Sequence, residues 1–239
     1  MDPIHQFGID RIVPIHLGPL DASLTNSGLW AIIAVCVVSL LFLLAPRELV
    51  PTRLQSLAES IYEFVENMTH EVLGHESRAF FPFVLTLFTF ILTCNLLGLI
   101  PYAFTVTSHI IVTLALALTV FIAATAIGFM RNGVGYLKIF VPPNVPAPIL
   151  LLLVPIEVIS YFIRPFSLSI RLFANMMAGH MMLKVAAGFV VMLGLAAGWF
   201  PLAATVLLYA LELLVAVLQA YVFALLTCLY LSDALHVDH

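Results

Sequence analysis

The chain has 239 residues, of which 63% are apolar and only 9% charged. A water-soluble domain carries about 25% charged residues, so a soluble globular enzyme is excluded and the chain reads as a polytopic membrane protein. Its formal net charge is −4 and it contains no basic tract, which leaves nucleic-acid binding without an electrostatic footing.

Residues 1–28 contain Asp2, Asp10 and Asp21 and lack a basic stretch followed by an apolar core. They read as an N-terminal segment, not as a cleavable signal peptide. Residues 29–45 form the first span, which stops at Ala45-Pro46-Arg47 and, with its flanks, matches the roughly 30 Å hydrocarbon layer. Over 54–73 the character changes. Glu59, Glu63, Glu66 and Glu71 alternate with Leu57, Ile61, Phe64, Val65, Met68 and Val72 at helical spacing. That pattern predicts an amphipathic helix lying at a membrane surface or against a partner. Its acidic polar face does not suit anionic lipid.

Residues 80–130 hold two further apolar runs whose link, 101–109, carries no Lys or Arg; they read as a helical hairpin. Arg131, Lys138 and the prolines Pro142, Pro143, Pro146 and Pro148 then mark a boundary, because prolines so dense cannot continue a helix. In the final stretch, 148–232, about 45 residues without a polar loop would make near 67 Å of helix. A break at 194–201 and another long apolar run follow. Two long, strongly tilted helices folded as a hairpin fit these lengths better than upright spans. The fold class is therefore all-α, a polytopic membrane protein of about five spans plus one surface helix. Cys36, Cys94 and Cys228 lie inside apolar runs without metal-ligand spacing and read as buried free thiols.

Lys and Arg set the orientation. With the N-terminus outside, the inner links hold Arg47, Arg53, Arg78, Arg131 and Lys138, against Arg11 outside. The C-terminal tail is then cytoplasmic.

The final hairpin contains Glu157, Arg164, Arg171, His180, Lys184 and Glu212, together with Asn175 and Gln219. An ionised side chain near the bilayer centre costs about 2.5–3.5 kcal/mol on insertion scales. Arg171 demands the most explanation, since its guanidinium cannot deprotonate. In an antiparallel hairpin, residues at equal depth have numbers that average to the turn. Arg171 with Gln219, His180 with Glu212 and Glu157 with Asp233 all centre on 195 or 196, inside the break. Nine positions separate Arg171 from His180, which sets them on opposite sides of a helix, whereas Glu212 and Gln219 share a stripe. A histidine and a carboxylate at one depth fit a proton relay, or a static hydrogen-bonded pair that holds the helices together. Lys184 fits an outer interface. Asn95, His109 and Glu157 suit either a water path or local capping.

Three stretches carry a family resemblance: Ser167-Leu-Ser-Ile-Arg171-Leu-Phe-Ala-Asn175-Met-Met-Ala-Gly179-His180, Asn95-Leu-Leu-Gly-Leu-Ile-Pro101, and Glu212 to Gln219-Ala220-Tyr221-Val222-Phe223. Together they strongly resemble subunit a of F-type ATP synthases. The resemblance implies a stator that conducts protons through two half-channels to and from a rotating ring of c subunits. Arg171 matches the family's essential arginine, which separates the half-channels and faces the ring carboxylate. Gln219 matches the glutamine facing it, Asn175 the polar residue one turn on, and Glu157 the acidic residue lining the inner path. His180 and Glu212 stand in exchanged positions relative to many bacterial members, which keeps one histidine and one carboxylate in the outer path. Arg164 stands where other members have lysine or glutamine, and it receives no chemistry.

The implied partners are the c-ring, the peripheral-stalk b subunits, the remaining ATP synthase complex and the lipid bilayer. The implied location is a bacterial inner membrane, ahead of a mitochondrial one. No phosphate-binding G-x-x-x-x-G-K-[ST] occurs in the chain, so nucleotide chemistry falls to partner subunits, and no cofactor or metal is expected. Two rivals stay open on the sequence: a self-contained proton-coupled transporter, although no paired repeat is visible, and a purely structural membrane anchor.

Overall fold

A computed structural model describes residues 11–13, 16–17, 20–21, 24–45, 51–100, 103–141 and 147–235. Pro46, Arg47, Pro101, the prolines Pro142, Pro143 and Pro146, and the tail from residue 236 lie outside the described residues. Ahead of the first helix the backbone makes two short antiparallel pairs, Arg11–Val13 with Leu24–Thr25 and His16–Leu17 with Leu20–Asp21. The long elements that follow among the described residues are helices: α1 (Asn26–Leu44), α2 (Arg53–Leu73), α3 (Ser77–Gly98), α4 (Ile110–Asn132), α5 (Ala147–Ala197) and α6 (Trp199–Leu235). Among the described residues five stretches are long and apolar enough to cross a membrane. The chain is an all-α polytopic membrane protein.

Local chemistry starts the first two helices. The Thr25 hydroxyl accepts from the Gly28 amide at 3.3 Å and the Thr52 hydroxyl from the Gln55 amide at 3.4 Å, each satisfying an amide that the helix leaves open. On α2 the residues Ala58, Val65, Met68 and Leu73 are buried, so its apolar stripe packs inward against α3 and α6 while its acidic side stays out.

The centre of the fold is α6, against which α3, α4 and α5 all pack. Ala216, Ala220, Ala224 and Cys228 recur every four residues on α6, and all are fully buried. Water does not drive apolar helices together inside lipid, so close backbone approach along small side chains becomes the main source of packing energy. The opposite face carries Leu211, Leu214, Val217 and Leu218, all exposed, as a lipid-facing surface requires. α4 repeats the device with buried Ala117, Val120, Ala124 and Gly128.

α5 stays helical from Ala147 to a kink at Gly194, and α6 has 37 residues. At about 1.5 Å per residue both exceed the hydrocarbon thickness, which only strong tilt or protrusion accommodates. The break between them sits where the glycines are. Gly194 takes φ +57°, a left-handed conformation that glycine adopts without steric cost. A Cβ on Gly198 would lie 2.3 Å from the Gly194 carbonyl oxygen.

One expectation needs correction. Cys94 and Cys228 are buried, but Cys36 is exposed. α1 is apolar all round and buries only Ala34, so most of its surface, Cys36 included, faces outward.

Candidate functional site

The polar residues of α5 divide between two faces. Leu168, Leu172, Met176 and His180, spaced four apart, are buried. Arg171 and Asn175, also four apart, are exposed. The half-turn offset read from the sequence between Arg171 and His180 therefore holds: one looks outward from the bundle and the other into it.

On the inner face, His180 Nδ1 hydrogen-bonds Glu212 Oε1 across from α6. Their side chains are 10% and 5% exposed. The carboxyl fits because the facing residue on α5 is Gly179, where a Cβ would stand 2.7 Å from Glu212 Oε1. Any side chain there would take the space of the carboxylate. Glu212 Oε2 is buried without a hydrogen-bond partner among the described residues.

The third member of this cluster comes from the link between α3 and α4. Thr105 Oγ1 lies 2.6 Å from His180 Nε2, so both ring nitrogens are engaged. The same loop is tied down at further points. Thr107 Oγ1 donates to Asn95 Oδ1 at 3.0 Å, Asn95 Nδ2 donates to the Ala216 carbonyl of α6 at 3.1 Å, and Ser108 Oγ donates to the Thr105 carbonyl at 2.7 Å. Asn95, Thr105, Thr107 and Ser108 are all buried. Sequence reasoning weighed Asn95 and passed over the three hydroxyls. Thr105, Thr107, Ser108 and His109 fall within five residues of an otherwise apolar region, but polar residues in a link between helices do not by themselves signal that the link folds inward.

His109 serves α4 through its backbone carbonyl, which accepts from the Val112 and Thr113 amides at 3.1 and 3.2 Å. Its ring stacks on Phe104 at 5.0 Å, and its Nε2 is buried without a partner among the described residues. Burial pushes the His109 imidazole below its ordinary pKa, because a charged ring loses hydration there.

On the other side, Asn175 Nδ2 donates to Gln219 Oε1 at 2.9 Å. Gln219 is 1% exposed. Gln219 thus meets Asn175, one turn beyond Arg171, and not Arg171 itself. Among the described residues Arg171 has no hydrogen bond or ion pair, and the residue is exposed.

Further from the turn, equal depth in the hairpin does not mean contact. Asp233 pairs with Arg164, at 3.0 Å, and not with Glu157, which is half-buried on α5. Arg164, given no chemistry on the sequence, holds this end of the two helices together and sits over the rings of Tyr161 and Tyr230. The Tyr161 hydroxyl also bonds Thr125 at 2.6 Å and Tyr136 at 2.9 Å.

The chain thus presents a buried histidine–carboxylate–hydroxyl cluster on one side of α5 and an open arginine on the other, with an amide pair beside it. The first arrangement can take up and release a proton. The second offers a fixed positive charge to an anionic group docking against α5.

The profile of the family described as "ATP synthase A chain" matches residues 28–232. Among curated relatives, the ATP synthase subunit a of Mesorhizobium japonicum is 56% identical over 247 residues, covering 100% of this chain and 98% of that protein. The ATP synthase subunit a of Pelagibacter ubique is 53% identical over 241 residues, covering 100% and 99%. That of Parvibaculum lavamentivorans is 52% identical over 247 residues, covering 100% and 95%.

Proposed function

The chain belongs to the ATP synthase A chain family, and on that premise we propose that it conducts protons between the two sides of the membrane and a ring of c subunits. At the coarser level it is the membrane-embedded subunit a of an F-type ATP synthase and works within that complex. The observation that carries the finer reading is the division of α5, with Arg171 exposed on one face and His180 buried against Glu212 on the other.

In this mechanism a proton arrives from outside through the path of His180 and Glu212 and passes to a carboxyl group on the ring. The neutralised carboxyl faces lipid at little cost, whereas an ionised one does not. The ring therefore turns in the direction that carries protonated carboxyls into lipid. After most of a revolution each carboxyl reaches a second path, open to the inside near Glu157, and releases its proton. Arg171 lies between the paths. Its charge stabilises the carboxylate passing it and repels a proton attempting to cross directly, which would dissipate the gradient without rotation. Asn175 and Gln219 hold the neighbouring turn of α5 against α6, so that the Arg171 side chain is offered outward in one position. The inner links carry the excess of Lys and Arg, which puts the N-terminus outside and the C-terminus in the cytoplasm of a bacterial inner membrane. The b subunits complete the stator.

ATP-driven acidification of inside-out vesicles tests this reading. Arg171→Ala abolishes pumping in a complex that still assembles. Unchanged pumping by the assembled variant would overturn the role given to Arg171.

A further inference from the structure

We propose that Thr105 is a positioning residue for His180, and that the loop 103–109 enters the bundle to supply it. The inference rests on the proposed role of His180 in the outer path and adds the group that controls its second nitrogen.

His180 Nδ1 faces Glu212, so the ring exchanges protons with the path through Nε2, and Thr105 Oγ1 is 2.6 Å away. A hydroxyl is the one uncharged side-chain group there able to serve both protonation states of the ring. With the proton on Nδ1, that N–H donates to Glu212 Oε1 and the Thr105 hydroxyl donates to the bare Nε2. When Nε2 takes up a proton, the hydroxyl rotates and accepts from Nε2–H. No bond beyond the N–H is made or broken, and the charge gained by the ring stays beside the Glu212 carboxylate.

The hydroxyl is held for this task from both sides. Behind it lies Gly98, where a Cβ would stand 2.7 Å from Thr105 Cγ2 and 3.1 Å from its Oγ1. The absence of a side chain at Gly98 thus seats Thr105 at the ring. In front, Ser108 donates to the Thr105 carbonyl, and Thr107 anchors the loop to Asn95, itself bonded to α6. The Asn95-to-Gly98 stretch of α3 therefore acts on His180 through this loop. Within about one helical turn of His180 and Glu212 along the chain, the titratable groups are Lys184 on α5 and Tyr209 on α6, and the loop adds His109. Glu212 bonds the ring, whereas Tyr209 donates to the Leu99 carbonyl. α1, which also packs against the loop, carries no charged residue.

Removing the hydroxyl costs the charged ring more than the neutral one, since hydrogen bonds to charged groups are the stronger. Thr105→Val keeps the volume and deletes the hydroxyl, while Thr105→Ser keeps the hydroxyl and deletes a methyl. The experiment measures ATP-driven acidification by the whole complex in inside-out vesicles between pH of about 6 and 9. With Thr105→Val the alkaline limb moves to lower pH by about 0.5–1 unit, and Thr105→Ser restores the wild-type profile. If Thr105→Val fails to assemble, Gly98→Ala carries the same prediction, because its methyl crowds Thr105 off the ring.

An unshifted Thr105→Val profile overturns the proposal, and so does a Thr105→Ser profile shifted as far as that of Thr105→Val, which would mean packing alone. His180→Ala separates the two levels. Lost pumping in His180→Ala with normal Thr105→Val rejects only the role of Thr105. Normal pumping in His180→Ala rejects the path itself.

Discussion

The two ends of the α5–α6 pair hold charge in opposite ways. Near the turn, His180 and Glu212 are 10% and 5% exposed and are flanked by the Thr105 hydroxyl and Gly179. Towards the far end, Arg164 and Asp233 are 36% and 44% exposed, and Arg164 sits over two aromatic rings. A buried pair that loses one partner leaves an uncompensated polar group behind, whereas a half-exposed pair that loses one partner leaves a solvated one. The first end thus tolerates little change. The second fastens helices and tolerates much.

The largest effect is expected where the contrast is sharpest. Glu212→Gln keeps the shape but removes the group that shares a proton with His180, and pumping in assembled vesicles falls by about 100-fold. Residual pumping within a few-fold of wild type would make the pair a structural one and erase the difference between the ends. A middle effect belongs to Gly179→Ala. Its Cβ would meet the Glu212 carboxyl at 2.7 Å, and such overpacking costs about 1–3 kcal/mol. The thermal midpoint of the purified complex falls and pumping falls with it; an unchanged midpoint would show that the carboxyl has room to move. The smallest effect is expected at the far end. Arg164→Gln deletes a pair worth about 0–1 kcal/mol, so pumping changes less than about twofold. A loss comparable to that of Glu212→Gln would place Arg164 in the proton path.

The members of the site that were legible in the sequence were those whose polarity is anomalous where they stand. Arg171, Asn175, His180, Glu212 and Gln219 interrupt apolar runs, and helix geometry sufficed to put Arg171 and His180 on opposite faces. The Gly194–Gly198 break was legible for the same reason, since glycines punctuate a run that otherwise continues. Thr105, Thr107 and Ser108 were not, because hydroxyls in a link between helices are ordinary and nothing local says that the link folds inward. The contact between Thr105 and His180 spans 75 positions.

Partner choice was legible only to within a turn. Antiparallel arithmetic gives depth, and it matched His180 to Glu212. It also set Gln219 against Arg171 and Asp233 against Glu157, whereas Gln219 meets Asn175 and Asp233 meets Arg164. The two helices are rotated about their own axes so that the α5 stripe of Leu168, Leu172 and Met176 is buried. That rotation carries Arg171 outward and Arg164 toward Asp233.

By itself the sequence determined that this protein lives in a membrane, how many helices cross it, where they break and which residues bear a charge the bilayer resists. Those outcomes follow from hydropathy, proline and glycine, all of which act locally. Only the tertiary structure decided that α6 is the central helix, that Gly179 yields its space to Glu212, and that a loop hydroxyl completes the histidine. These depend on how closely small side chains let backbones approach, and that distance is settled between helices, not within one.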